Sequence, residues 1–299
     1  MELELINSMA TKSPDELVEN SEKTFENRLE SIVDNIGEKI KIILLAGPSS
    51  SGKTTSSKLL TQMLRDKNKS SFVISLDDFY KNRQDIPADK NGEQDFETVD
   101  ALDLVLLEHT LSDIMNYKTT KIPIFDFKKG ARSTECMEIS PHKDDIFIIE
   151  GLHALNPKIT SLVPKTALLK LYISVDTGIE NKNENLFTGR QIRFIRRMLR
   201  DFTHRSAHAN LTFKMWESVR AGEDKYLYPY KYEADEFINS FHPYEICIYK
   251  NRALDMLNEP ETKSTYAVKS QFLISGLNLC QSLDEKYVPE NSLLKEFIG

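Results

Sequence analysis

The chain is poor in cysteine, has no long apolar run and is short of positive charge, and each scarcity excludes something. Three cysteines (Cys136, Cys247, Cys280) are spread over 299 residues with no CxxC pair and no metal spacing. An odd, sparse set excludes a disulfide framework, suits a reducing cytoplasm and reads as three small core residues. No apolar stretch approaches the ~18 residues that spanning a bilayer requires. The opening MELELINSMATKSPDELVEN lacks the basic-then-apolar order of a secretory signal. A cytoplasmic protein with no membrane partner is therefore expected. With 39 Lys and Arg against 46 Asp and Glu the net charge is −7, which argues against a chain that coats nucleic acid. Any polyanion site must be a local basic patch. Internal repeats and low-complexity tracts are also missing. At 40% hydrophobic and 28% charged the composition is that of an ordinary globular protein long enough to bury a sizeable core.

What is there alternates. Residues 14–36 carry apolar side chains at Leu17, Phe25, Leu29, Ile32, Val33 and Ile36, the spacing of an amphipathic helix, and Gly37 stops it. KIILLAG (41–47) is a short apolar run ending in glycine, suited to a strand buried on both faces. A helix over 53–67 follows, then a strand at 71–78 and a helix at 100–117 with Asp100 as N-cap. Further strands are predicted at 145–151, 167–175 and 245–251, with a long helical stretch, 186–240, between the last two. Beyond 263, AVKSQFLISGLNLCQSL reads as helix. Strands alternating with helices imply an α/β fold, a parallel sheet with helices on both faces. The expected organisation is one core at 38–255 with helical extensions at 1–37 and 256–299.

GPSSSGKT, Gly47 to Thr54, fits GxxxxGK[ST] in full and lies between an apolar strand and a helix. Gly47 and Gly52 let the backbone curl so that successive N–H groups point at one anion, and the helix N-terminus adds partial positive charge. Ser49, Ser50, Ser51, Gly52, Lys53, Thr54 and Thr55 are thus the expected donor-binding residues. Lys53 reaches the β and γ phosphates, and the Thr54 hydroxyl is a Mg²⁺ ligand. The donor is ATP or GTP. NKNE (181–184) resembles the guanine-reading NKxD but ends in Glu184, and no DxxG precedes it. A solvated polar loop is the better reading of it.

Two acids stand where apolar strands end. SLDDFY (75–80) places Asp77 and Asp78 just past the second strand, facing the crevice where ligands of parallel sheets bind. Alternation directs one of the pair at the phosphates without saying which. Glu150 closes DIFIIEG (145–151), and a carboxylate buried there needs a cation or Mg²⁺. GRQIRFIRRMLRDFTHR (189–205) is the basic patch: Arg193, Arg197 and Arg200 share a helix face, with Arg190, Arg196 and Arg205 nearby. A lid clamping phosphate oxygens suits that composition. RNA binding is the rival, with Phe194, Phe202, Phe213 and Trp216 interleaved.

Together these segments resemble the uridine kinase and phosphoribulokinase family, over about Lys41 to Arg252. The likeness is carried by GPSSSGKTT, SLDDFYK, DFETVDALD, KIPIFDFKKGAR, IIEGLHAL and RRMLRDFTHR, in the family's order. It implies a P-loop NTPase-type sheet with a helical lid at about 186–222. By position it implies Asp77 as catalytic base, Tyr80 lining the acceptor site, and Thr54 and Glu150 as Mg²⁺ ligands. Arg197, Arg200 and Arg205 correspond to the lid arginines. Glu97 stands where a ribose-binding aspartate is usual, Phe125 replaces a tyrosine, and Gly130 replaces a histidine that contacts the pyrimidine. Ala207 takes the place of a second lid arginine. A site without those polar readers is broader or reads another ligand. VPENSLLKEFIG (288–299) and the extensions fit a bacterial variant of such kinases.

The expected activity is ATP- and Mg²⁺-dependent phosphorylation of a small hydroxyl compound, a nucleoside 5′-OH first. Lys53, Asp77, Arg197, Arg200 and Arg205 would carry the chemistry, and Asp77, Tyr80, Glu97, Phe125, Arg132 and Arg197 would line the acceptor site. The alternatives are a sugar, polyol or pantothenate-like acceptor, or a regulatory or RNA-associated nucleotide-binding protein. Oligomeric state is open.

Overall fold

The computed structural model describes residues 1–86 and 94–299. Two helices open the chain, α1 (Leu3–Lys12) and α2 (Pro14–Asp34). Pro14 sits in the first turn of α2, where a missing N–H is no loss, and the helix buries the predicted stripe of Leu17, Phe25, Leu29, Ile32 and Val33. β1 (Ile42–Ala46), buried throughout, runs through the phosphate loop into α3 (Lys53–Asp66). β2 (Ser71–Ser75), α4 (Leu104–Met115), an antiparallel hairpin of β3 (Thr120–Asp126) and β4 (Ala131–Ile139), and β5 (Ile146–Gly151) follow. After the short α5 (Pro157–Thr160) come β6 (Leu168–Ser174) and a small hairpin of β7 (Ile179–Asn181) and β8 (Glu184–Phe187). α6 (Gly189–Arg205), α7 (Ala209–Tyr226) and β9 (Glu236–Asn239) complete the sheet. α8 (Glu245–Leu257), α9 (Pro260–Thr265), α10 (Ala267–Leu279) and α11 (Lys295–Ile298) end the chain.

The main sheet is parallel, in the order β2-β5-β1-β6-β9. Side chains alternate along its central strand, so β1 feeds two cores. Ile43 and Leu45 pack with α2, α3, α6 and α8, while Ile42, Leu44 and Ala46 face α4 and the β3–β4 hairpin. Leu3, Ile6, Leu273, Leu277, Leu293 and Phe297 belong to the first core, so both terminal segments are packed into the same apolar interior as the sheet. Among the described residues no helix is long and apolar enough to cross a membrane.

Several local expectations are corrected. Residues 245–251, read as the fifth strand, open α8. Ile246, Cys247, Ile248 and Tyr249 are all buried, and a short apolar run that is buried all round does not distinguish strand from helix. The fifth strand is instead β9, whose EFIN is inconspicuous because it is a sheet edge burying only Ile238. This strand and β8 interrupt the stretch 186–240 expected to be helical. α4 starts at Leu104 under the cap of Asp103, whose carboxylate accepts from the Leu106 N–H at 3.0 Å. Asp100 lies in the preceding 3-10 turn, its carboxylate paired with Lys158 at 2.5 Å. NKNE is the tight turn of the β7–β8 hairpin, with Lys182 and Asn183 at φ 53° and 66°. Cys247 and Cys280 are core residues as expected, and burial pushes both thiols up to about 12. Cys136 is exposed on β4, which shows most of its length to solvent.

The helix expected to be a mobile lid is fastened from within. Arg193 pairs with Glu223 of α7 through two bonds of 2.8 Å. Arg196 pairs with Glu245 of α8 at 2.6 and 2.9 Å and donates to the Ser240 carbonyl at 2.7 Å. All four side chains are at most 1% exposed. Removing one partner of such a pair leaves an uncompensated buried charge. Glu245→Ala is expected to lose about 3–5 kcal/mol of stability in urea unfolding, whereas breaking an exposed pair such as Lys23 with Glu19 should leave the unfolding midpoint nearly unchanged.

Candidate active site at the phosphate loop

The loop between β1 and α3 is shaped by its glycines and held from outside. Gly52 caps α3 at φ 88°, a conformation that a side chain would strain. Lys53 folds back over the loop, donating to the carbonyls of Gly47 at 2.9 Å and Pro48 at 3.2 Å. Around Ser49 three groups converge: its N–H donates to Glu223 Oε1 at 2.9 Å, its carbonyl accepts from Arg193 at 2.8 Å, and its hydroxyl from Arg197 at 2.7 Å. Arg196 reaches the Ser50 carbonyl at 3.4 Å. The Ser50 and Ser51 hydroxyls are buried without a hydrogen-bond partner, and Thr54 is exposed on the first turn of α3.

Parallel pairing brings the two acidic strand ends together. Ser75 stands beside Glu150 in register and donates its hydroxyl to Glu150 Oε1 at 2.9 Å. The same hydroxyl accepts from the Asp77 N–H at 3.3 Å, so one serine joins the Glu150 carboxylate to the backbone of the Asp77 turn. Burial pushes Glu150 up to about 7; Lys53 opposes the shift and Asp77 adds to it. The Asp77 side chain is exposed, yet desolvation by the protein packed around it raises its carboxyl above the ordinary range, opposed first by Lys53 and also by Arg200 and Arg205. β2 ends at Ser75, and residues 76–79 form a 3-10 turn, so strand alternation does not govern the pair of aspartates. Asp78 is engaged elsewhere, accepting from the Phe125 N–H at 3.1 Å and tying β3 to this turn.

Arg197, Arg200 and Arg205 all meet Asp201, at 3.3, 3.1 and 3.2 Å. Asp201 is 5% exposed. Arg193 is not with them in a clamp: it is a buried tie between α6, α7 and the loop. Of the residues on which the rival RNA-binding reading drew, Arg193 and Arg196 are interior and Phe194, Phe213 and Trp216 are core, whereas Phe202 is 46% exposed.

The acceptor side is aromatic and acidic. Tyr80 and Phe125 lie 5.9 Å apart between ring centroids, and Phe127 packs edge-on to Phe125 at 5.0 Å. Phe127 is 57% exposed and was not anticipated; it lies one residue past the end of β3, in the hairpin turn, two positions on from Phe125. Glu97 leans on α7, where Gly222 leaves room for it. Burial raises the Glu97 carboxyl, and Arg197 is the first charge opposing that. Behind it His153 is buried and neutral, its ring pushed down to about 4. Arg132, expected to line this site, is committed to the turn after β2: it donates to the carbonyls of Tyr80 and Phe79 at 3.1 and 3.2 Å and pairs with Asp103 at 3.1 Å. Gly130 sits at φ 65° in the hairpin turn under Arg83, whose side chain a Cβ would meet at 2.5 Å. Ser75, Asp201 and Glu223, all close to the site, went unnoticed because hydroxyls and carboxylates on strands and helices carry no periodic signature.

These are the features of a P-loop α/β protein: a parallel sheet flanked by helices, an anion-holding loop after β1, and carboxylates at the ends of the two adjoining strands. A profile of the phosphoribulokinase/uridine kinase family matches residues 42–246. The chain belongs to this family, and it is a phosphotransferase with an alcohol group as acceptor. It is 29% identical over 200 residues to a uridine kinase of Lactobacillus helveticus, covering 66% of this chain and 85% of that protein. With a uridine kinase of Bacillus subtilis it shares 27% over 205 residues, 68% of this chain and 87% of the relative. A solved structure from Bacillus stearothermophilus, titled a possible uridine kinase, superposes with a TM-score of 0.48 at 18% identity, covering 72% of this chain and 98% of that one.

The raised Glu150 carboxyl has a stability consequence. Between its ordinary value of 4.5 and about 7 the folded chain binds a proton that the unfolded chain has released, so stability falls as pH rises through that window. Glu150→Gln keeps the shape without the charge. Its thermal midpoint is expected to exceed the native one at pH 8 and to converge on it by pH 4–5; a gain independent of pH would refute the assignment.

Proposed function

We propose that this chain transfers the terminal phosphoryl group of ATP to the 5′-OH of a uridine- or cytidine-like nucleoside. The observation that carries the proposal is the gathering of Lys53 of the phosphate loop, Glu150 and Asp77 on either side of Ser75, and the aromatic patch of Tyr80, Phe125 and Phe127. The printed names of the relatives support the same acceptor class. The residues present fit a magnesium nucleotide. Ser50 and Ser51 bring two buried hydroxyls without partners, and Thr54 and Glu150 are oxygen ligands of the kind Mg²⁺ takes alongside phosphate. Bound ATP and Mg²⁺ supply the phosphoryl group and shield its charge.

The protein's part is positioning and electrostatics. Lys53 and the backbone N–H groups of the loop from Ser49 to Thr55 would hold the donor phosphates. Thr54 and Glu150 would hold the metal. Asp77 orients the acceptor hydroxyl and takes its proton, and the neighbouring Lys53 opposes the rise that desolvation imposes on its carboxyl. Arg197, Arg200 and Arg205 exchange Asp201 for the charge that develops on the transferred group. Glu97 accepts from the sugar hydroxyls, and Phe125 and Phe127 offer a face on which a base stacks. Arg132 positions the Tyr80 turn. The catalytic unit is residues 38–255, with the segments before and after it completing its core.

A second reading keeps the chemistry and changes the acceptor to a sugar, polyol or pantothenate-like alcohol. It is favoured by Gly130, which brings no polar group to read a base. ADP release across nucleosides, sugars and polyols separates the two: uridine and cytidine are expected to stimulate most, and stimulation by sugars or polyols alone would establish the second. Asp77→Asn is expected to lower kcat by about 10² to 10⁴ while ATP affinity, read by calorimetry, stays within about twofold. Equal loss of both would make Asp77 structural.

A further inference from the structure

The last twelve residues, 288–299, have no part in the reaction just described, yet they end on the phosphate loop. Leu293 is fully buried and covers Gly52, where a Cβ would lie 2.3 Å from its Cδ1. The Phe297 ring lies 5.1 Å from the guanidinium of Arg196. Arg252 donates to the Ile298 carbonyl at 2.7 Å, and the Ser292 hydroxyl donates to Glu22 at 2.7 Å. These anchors bring Glu296 to the first turn of α3. Its Oε2 accepts from the Thr55 N–H at 3.2 Å and from the Thr55 hydroxyl at 2.7 Å.

That position matters because the first N–H groups of a helix have no partner inside it. In a P-loop they are the donors turned toward the phosphates, and the helix dipole favours negative charge there. A carboxylate already bonded to Thr55 takes the same donors and has the same sign of charge as a phosphate. The two cannot share them.

We propose that residues 288–299 are a built-in gate on the donor site, with Glu296 an internal anion that nucleotide phosphate must displace in order to bind. The proposal rests on the loop being the donor site. Leu293 and Phe297 are interior, so opening moves the Glu296 side chain and the last turn around it while the segment stays anchored. The gate discriminates by phosphate. A donor carrying enough of it outcompetes one carboxylate, whereas an uncharged nucleoside gains nothing from the exchange.

Calorimetric titration of the full chain with ATP and Mg²⁺ tests this. Glu296→Ala is expected to bind roughly tenfold more tightly than the native protein, the fold-change corresponding to one charge-assisted hydrogen bond removed from competition. Glu296→Gln, which keeps an acceptor without charge, is expected to fall between the two. Unchanged or weaker binding in both variants, at native thermal midpoints, overturns the gate. Should the midpoints drop, amide exchange of the native protein decides. Faster exchange at 294–299 on adding ATP supports the gate, and unchanged or slower exchange overturns it. Lys53→Ala separates this from the donor-site reading. Loss of ATP binding in that variant with no effect at Glu296 removes the gate alone, whereas undiminished binding removes the donor site and the gate with it.

Discussion

The buried pairing of Arg193 with Glu223 and of Arg196 with Glu245 is the constraint on which the rest of the site depends. Both arginines also bond the backbone of the phosphate loop, at Ser49 and Ser50. The loop's curl is therefore set by α3 on one side and by helices distant in sequence on the other. Burying two ion pairs adds little net stability over apolar residues of the same size. Its effect here is geometric, since a bidentate fork fixes direction as well as distance. The Glu223 carboxylate serves twice, orienting Arg193 and accepting the Ser49 N–H, which ties the start of the loop to α7.

From that fixed frame the sheet delivers the chemistry. β1 and β2 flank β5, so their ends, and with them Lys53, Asp77 and Glu150, are neighbours without any long-range coincidence. Ser75 fixes the turn against β5, its hydroxyl donating to the Glu150 carboxylate and accepting the Asp77 N–H. The charge of Asp77 adds to the raised proton affinity of Glu150. The acceptor side is built differently, from an antiparallel hairpin hooked to the end of β2 by Asp78 and Arg132. One side is rigid by parallel pairing and the other is suspended by side chains. In such a division the hairpin can be altered with little disturbance to the sheet that carries the phosphate loop.

This division also governs what could be read from the residues. The loop, the sheet core and the acids at strand ends were legible because their patterns are local: GxxxxGK[ST], apolar runs of five or six residues, and a charge closing each run. The fate of the arginines was not. Spacing put Arg193, Arg197 and Arg200 on a common face, but only tertiary partners 30 to 49 residues away separate the buried Arg193 and Arg196 from the three that meet Asp201. α8 was mistaken for a strand because uniform burial erases the period that distinguishes the two. The β3–β4 hairpin was invisible for the opposite reason, since exposure along β4 removes the apolar signal altogether. Glu296 could not have been anticipated at all, for it meets Thr55 across 241 residues.

The charged groups of the site are already satisfied from within the chain. Lys53 rests on two carbonyls of its own loop, three arginines share Asp201, and the first turn of α3 holds Glu296. None of these partners is free, so binding at this site is an exchange of partners and its free energy is a difference between two satisfied states. An uncharged molecule cannot replace the charge of Asp201 or Glu296, and displacing Asp201 without replacing its charge would leave the nearly buried Arg197 guanidinium unpaired. A polyphosphate replaces both at once, being anionic where they are anionic. Selectivity for a highly charged donor thus follows from the internal pairing, before any contact to a base is considered. At the proposed acceptor side no such internal mimic covers the aromatic patch among the described residues, and Phe127 is left exposed. On that proposal recognition there would rest on apolar area and on Glu97. Two unlike physical mechanisms, anion exchange and stacking on an exposed face, would then meet at Asp77.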